Sequence, residues 1–233
     1  MMQRPHLTER QLRSVRVIST RWQRRGIFVA GGVAVGAAAV GLTQASDLAQ
    51  FLFARLLEKW RYASFVVTPL GFVLSVFLTL RFFPNSQGSG IPQAIAARQL
   101  GDHEARGRLV SFRIGVGKIL LTVLGLLCGA SVGREGPTVQ IGASIMFAIG
   151  RMSPRRQPGL ILAGAAAGVA AAFNTPLAGI VFGIEEMSRA FEVRTSGLII
   201  GTVIAAGLTS LALVGNYAYF GHTATTLGNG VDW

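Results

Sequence analysis

Four apolar stretches in this chain are long enough to cross a lipid bilayer, and no other feature limits its fold so strongly. They lie at residues 26–57, 63–83, 109–131 and 197–214. A crossing helix needs about 20 mostly apolar residues, because the hydrocarbon core of a bilayer is about 30 Å thick. Only 14% of the residues are charged, and the 30 glycines suit the close packing of membrane helices. We therefore predict an all-α integral membrane protein.

The net positive charge of +12 lies mostly outside these stretches. Seven arginines fall within the first 25 residues, against one acid, Glu9. Apolar residues recur there in steps of three and four, at Leu12, Val15, Ile18 and Trp22. We predict that residues 1–25 form a cytoplasmic amphipathic segment, helical over 7–24, and that the chain is a multi-pass protein of the cell membrane. This charge distribution argues against a nucleic-acid partner.

Several later apolar segments are too short to cross. They run over Pro137–Gly150, Gly159–Phe173 and Pro176–Met187, and each reaches roughly 18–22 Å as a helix. A short helix that begins with glycine or proline inside a membrane is typical of a broken helix. A further short segment, Ile91–Leu100, and a charged loop, Asp102–Arg108, precede the third crossing. We therefore expect tilted, broken and re-entrant helices.

One break, Gly133-Arg134-Glu135-Gly136-Pro137, lies directly before a helix start. Pro137 suits the first turn of a helix, and the two glycines allow the backbone to bend and expose its amides. The start of a helix carries partial positive charge and unpaired N–H groups, which attract an anion. Glu135 is an anion tethered beside that position, so the segment indicates anion movement gated by a carboxylate. The alternative is a helix start with an exposed Arg134–Glu135 pair at the lipid surface.

A second break covers Gly88, Ser89, Gly90, Ile91 and Pro92. Its glycines expose backbone amides, Ser89 adds a hydroxyl donor, and Pro92 opens a short helix. An ordinary turn at a membrane interface is the alternative.

A third break lies within residues 164–187, where small residues at four-residue spacing suit helix packing. Glu185 and Glu186 end the apolar helix that closes this stretch. Arg189 could pair with either glutamate at helical spacing. An interfacial salt bridge explains one glutamate, and the other could be a buried proton site.

Together and in this order, the three breaks resemble the CLC family of chloride channels and proton–chloride antiporters. The resemblance implies that Gly88–Pro92 bind chloride and that Ser89 favours chloride over nitrate. It implies that Glu135 is the gating glutamate and Glu186 the inner proton-transfer glutamate. Lys118 is similar to a buried basic residue that biases the family's pore toward anions. Gln93 stands where many relatives have glutamate, and we expect no change to the filter from it. The expected supporting residues are Gly133, Arg134, Gly136, Pro137, Lys118 and Glu185.

The resemblance covers the first of the family's two inverted repeats, which corresponds to residues 26–215. The second repeat of relatives supplies further backbone amides and a tyrosine hydroxyl to the chloride site. Residues 216–233 look like a polar linker between repeats that is cut short. We therefore expect the N-terminal half of such a transporter, whose partners would be a C-terminal repeat or a second copy in a homodimer.

The expected function is chloride transport, as a proton-coupled antiporter or a channel, with chloride as the substrate and no cofactor. A non-transporting membrane scaffold is the alternative. An enzyme or metal protein is not expected, because the histidines lie in polar segments and Cys128 has no partner nearby in sequence.

Overall fold

The computed structural model describes residues 9–150, 157–185 and 193–215. Across these residues the chain forms helices and no strand. In chain order they are α1 (Glu9–Lys59), α2 (Ser64–Phe82), α3 (Ile91–Gln99), α4 (His103–Val110), α5 (Phe112–Leu127), α6 (Glu135–Ile149), α7 (Gln157–Phe173), α8 (Pro176–Glu185) and α9 (Val193–Val214).

Helices α6 and α7 lie at the centre of the fold. Every residue of α7 from Leu160 to Ala172 is buried. Gly142 of α6 and Gly164 of α7 bring the two backbones into contact, because neither residue has a side chain to separate them. Helices α3 and α4 pack on one side of this pair, and α1 and α9 pack on the other. The small residues of the third break therefore build the core.

Four helical stretches are long and apolar enough to cross a membrane, judged by length and composition. They are Arg25–Lys59, Ser64–Phe82, His103–Leu127 and Gly197–Val214. Helix α2 exposes large apolar side chains, with Phe65 at 78% and Leu80 at 76%, as expected for contact with lipid. Helices α6, α7 and α8 have only 15, 17 and 10 residues, which confirms the short helices predicted from the sequence.

The structure corrects two predicted boundaries near the ends of crossings. The surface helix at 7–24 and the crossing at 26–57 are one continuous helix, α1, because Gly26 weakens a helix without ending it. Residues 1–8 and the side chains of residues 9–24 lie outside the described part of the chain, so the amphipathic face stays a prediction. The third crossing ends at Leu127 rather than at residue 131, and Gly129 turns the chain with a φ of 85°.

The predicted loop at Asp102–Arg108 is wrong. This segment begins α4, whose N-cap is Asp102. The Asp102 carboxylate accepts a hydrogen bond from the backbone N–H of Ala105 at 2.9 Å, which satisfies one of the donors that a helix start leaves unpaired. That hydrogen bond holds the pKa of Asp102 below its usual value of 3.8. The many charged residues of this segment led to the prediction of a loop. Its capping residue, Asp102, instead allows the segment to begin a helix.

Candidate anion-binding site

Helix α6 begins with the acid of the Gly133–Pro137 break. Arg134 occupies its N-cap position and Glu135 is its first residue, two positions before the start predicted at Pro137. The carboxylate of Glu135 folds back over Gly133, where Oε2 lies 2.5 Å from the place that a Cβ would take. N–H groups in the first turn of a helix have no partner within the helix, and the helix dipole adds partial positive charge there. A half-buried carboxylate thus lies at an electropositive helix start.

Helix α3 begins with the last two residues of the Gly88–Pro92 break. Gly90 precedes it in the left-handed region, with a φ of 96°, and Ile91 and Pro92 are its first two residues. The hydroxyl of Ser89 accepts a long hydrogen bond of 3.4 Å from the N–H of Ile91. The left-handed turn therefore places the Ser89 hydroxyl beside the first amides of α3.

The two helix starts meet at Gly136 and Ser89. A Cβ on Gly136 would lie 2.8 Å from the carbonyl oxygen of Ser89 and 3.0 Å from its Cβ. Only glycine allows this approach without a shift of the backbone, because a real Cβ does not come as close as 2.8 Å to a carbonyl oxygen. The fold thus brings Ser89 next to the residue that follows Glu135. Two segments that lie more than 40 positions apart in sequence share one location.

Side-chain donors occupy four consecutive carbonyl oxygens just before α3. The pairs are Gln140 Nε2 with Asn85 O at 3.0 Å, Lys118 Nζ with Ser86 O at 2.9 Å, Gln93 Nε2 with Gln87 O at 2.8 Å, and Lys118 Nζ with Gly88 O at 2.5 Å. A carbonyl oxygen carries partial negative charge and repels an anion. Because these oxygens accept from protein donors, they repel an anion near the start of α3 less than unpaired carbonyl oxygens would.

Lys118 supplies two of these four hydrogen bonds from α5. Its side chain is only 2% exposed, and the cost of burying an ammonium group is offset by the two carbonyls that it binds. The sequence resemblance pointed to a buried basic residue at this position. In the structure Lys118 is buried, and its Nζ binds the loop that leads to Ser89. A positive charge there favours an anion on the far side of the loop.

Arg134 connects the start of α6 to α1. Its Nη1 donates to Oδ1 of Asp47 at 2.6 Å, and its side chain is 24% exposed. Asp47 is not among the residues that the sequence motifs single out. The signal that could have found it is an acid within an otherwise apolar crossing, which is costly in lipid and usually paired.

In the third break, Gly168 of α7 packs on Thr138 in the first turn of α6. Gly179 of α8 packs on Ala166 and Ala170 of α7, while Glu185 is exposed at the last described residue of α8 and lines an open pocket with Val181 and Phe182. Glu186 and Arg189 lie outside the described residues. The proton-transfer role of Glu186 and its pairing therefore stay predictions.

Two side-chain amides belong to the site although the motifs do not name them. Gln140 donates to the carbonyl of Asn85 in the loop before α3, and Asn85 donates to the carbonyl of Arg108 in α4. An amide such as Gln140 inside an apolar helix is itself a signal, since polar groups buried at membrane depth need partners. Among the residues that the structure describes, His, Cys, Asp and Glu form no group of three or more that could hold a metal ion.

Residues 70–230 match the sequence profile of the voltage gated chloride channel family. The chain belongs to this family. The resemblance to CLC proteins that its motifs indicate is thereby confirmed.

Curated relatives match over most of this chain. The H(+)/Cl(-) exchange transporter ClcA of Yersinia pseudotuberculosis is 36% identical over an alignment of 200 residues, and the match covers 81% of this chain and 40% of that protein. The ClcA transporter of Klebsiella pneumoniae is 40% identical over an alignment of 152 residues, and the match covers 60% of this chain and 30% of that protein. The chain thus spans 40% or less of the length of these relatives.

Solved structures share the fold. A slow cyanobacterial Cl-/H+ antiporter superposes with a TM-score of 0.73 at 28% identity, covering 84% of this chain and 48% of that one. A CLC-type fluoride/proton antiporter superposes with a TM-score of 0.64 at 22% identity, covering 91% of this chain and 49% of that one, which shows the fold alone. These matches confirm the predicted all-α membrane architecture.

Proposed function

We propose that this chain supplies the anion site and the glutamate gate of a proton-coupled chloride transporter in the cell membrane, with its N terminus in the cytoplasm. The observation that supports this most is the contact between Ser89 and Gly136, which brings two helix starts and the Glu135 segment to one place. Curated relatives are named H(+)/Cl(-) exchange transporters, which supports chloride and protons as the transported pair.

The gate works by competition between two anions for one electropositive pocket. Deprotonated Glu135 occupies the space in front of the helix starts as an anion and blocks chloride. Protonation removes that charge, so the pocket releases the side chain and chloride enters. If Glu186 passes protons to Glu135 from the inner side, chloride and proton move in opposite directions.

Complete transport is proposed to need a second repeat. The resemblance to the family implies further amides and a tyrosine hydroxyl from such a repeat, and this chain spans 40% of the Yersinia relative. A homodimer is supported by apolar side chains exposed on α8 and α9, among them Leu177 at 73% and Leu208 at 57%. The alternative function is a membrane scaffold that transports nothing.

Chloride efflux from liposomes containing the chain tests the gate. Wild-type efflux should rise on acidification, by up to about tenfold per pH unit while a single carboxyl titrates. The substitution Glu135→Gln should give high chloride efflux at every pH, because glutamine cannot carry the blocking charge. The control is Glu58→Gln, which removes an exposed carboxylate paired with Arg55.

Three outcomes separate the candidates. Chloride efflux that still depends on pH in Glu135→Gln contradicts the proposed role of Glu135 as the gate. If wild type also binds no chloride in isothermal titration calorimetry, an absence of chloride efflux from wild type and from both variants favours the scaffold. Substitution of Glu186→Gln should leave chloride efflux intact and abolish coupled proton movement, measured with a pH dye inside the liposomes.

A further inference from the structure

Gln140 is a fully buried amide in the second turn of α6. Its relative exposure is 0%, and its Nε2 donates to two carbonyl oxygens, those of Asn85 and Leu109, both at 3.0 Å. Asn85 begins the loop that leads to α3, and Leu109 lies in the last turn of α4. One side chain of α6 therefore holds two other parts of the backbone.

Asn85 strengthens the same connection from the loop. It adopts a φ of 70°, in the left-handed region, and its Nδ2 donates to the carbonyl of Arg108 at 2.8 Å. Carbonyls in the last turn of a helix have no partner within the helix. The amides of Asn85 and Gln140 bind two such carbonyls at the end of α4, so the loop, α4 and α6 are joined by three hydrogen bonds.

Gln140 also packs on Gly90, the N-cap residue of α3. A Cβ on Gly90 would lie 2.7 Å from Cβ of Gln140 and 2.9 Å from its Oε1. Residues four apart on a helix share a face, so Gly136 and Gln140 present one surface of α6. Gly136 contacts Ser89 and Gln140 contacts Gly90, which means that two successive turns of α6 hold the start of α3.

We propose that Gln140 is a positioning residue of the anion site, whose amide fixes the start of α3 against the start of α6. The proposal rests on the proposed chloride function. Gln140 acts through the Asn85 carbonyl and Gly90, and the groups that face the anion are the Ser89 hydroxyl and the amides of the two helix starts. Without its two N–H donors, the loop would lose its connection to α6 and the amides would no longer converge.

Two substitutions test Gln140 in the full-length chain. Gln140→Leu removes both hydrogen bonds and keeps a similar volume. Gln140→Glu keeps the shape but, when ionised, turns an oxygen instead of an N–H group toward the carbonyls of Asn85 and Leu109. The matched control is Ser144→Ala, one turn further along α6, where Oγ is buried with no hydrogen-bond partner among the described residues.

Chloride binding by isothermal titration calorimetry is the first readout. Loss of two hydrogen bonds should raise the chloride Kd of Gln140→Leu about tenfold, whereas Ser144→Ala should match wild type. The ratio of the Gln140→Glu Kd to the wild-type Kd should fall toward one on acidification, because a protonated carboxyl regains one donor. The Tm of each variant is measured alongside, because a merely structural residue would lower the Tm without changing the chloride Kd of the folded protein. Equal chloride Kd values in Gln140→Leu and wild type would overturn the proposal.

Hydrogen–deuterium exchange of residues 86–93 is the second readout, and it does not depend on chloride. Exchange should become faster in Gln140→Leu and remain unchanged in Ser144→Ala. Unchanged exchange in Gln140→Leu overturns the positioning role even if chloride binds.

If wild type binds no chloride, the proposed function fails, and faster exchange in Gln140→Leu still supports the connection between α3 and α6. If Gln140→Leu does not fold, the pH dependence of the Gln140→Glu ratio decides, and a ratio that stays constant overturns the proposal.

Discussion

Removal of the Lys118 ammonium is the substitution whose effect the structure specifies best. Its Nζ donates to Ser86 O at 2.9 Å and to Gly88 O at 2.5 Å, and the side chain is 2% exposed. Hydrogen bonds from a charged donor contribute about 1.5–3 kcal/mol each. Part of that gain is offset by the desolvation of the ammonium, so we expect Lys118→Met to lower the free energy of unfolding by about 2–4 kcal/mol.

The assay is thermal unfolding in detergent, with and without chloride. A chain of this length shifts its Tm by about 2–4 °C for each kcal/mol, so Lys118→Met should lower the Tm by about 5–15 °C. Chloride should also stabilise the variant less than wild type, because the loop before Ser89 has lost two anchors. The control is Lys59→Met, which removes the same charge at an exposed position. Equal Tm values for the two variants would refute the reasoning, since the buried hydrogen bonds would then contribute nothing.

Two further substitutions test single contacts. Gly136→Ala should weaken chloride binding at least tenfold, because its methyl group would lie 2.8 Å from the Ser89 carbonyl oxygen. Gly41→Ala, in a helix with nothing within 4 Å, should leave chloride binding unchanged, and equal chloride affinity in the two variants would contradict the close approach. Asp102→Ala should lower the Tm at neutral pH, because the helix cap is lost. Because its pKa is lower in the folded than in the unfolded chain, ionised Asp102 stabilises the fold, and this stabilisation is lost when the carboxylate is protonated. The difference in Tm between Asp102→Ala and wild type should therefore shrink as the pH falls below about 4. A difference that stays constant with pH would contradict the role of the carboxylate as a helix cap.

The short helices could be predicted because their signals are local. Glycine and proline at 133–137 and at 176 mark helix starts whatever lies around them. The error at Asp102–Arg108 has the same origin, since the charges of that segment outweighed its helix cap in the prediction. The continuity of α1 through Gly26 shows the limit of such signals, because glycine at that position is compatible with a helix or a break.

The sequence by itself determined that the chain is a bundle of apolar helices, which segments are too short to cross, and which family it belongs to. The conclusions about helices depend on composition and on spacings within a few residues. The family depends on three short motifs and on their order along the chain. Only the tertiary structure decided which groups meet, such as Lys118 with Gly88 across 30 positions and Gln140 with Asn85 across 55. Side chains so distant in sequence leave no periodic pattern, and their contacts depend on how closely α3, α5 and α6 pack. The physical reason is that each buried carbonyl accepts whichever donor the packed helices bring within about 3 Å.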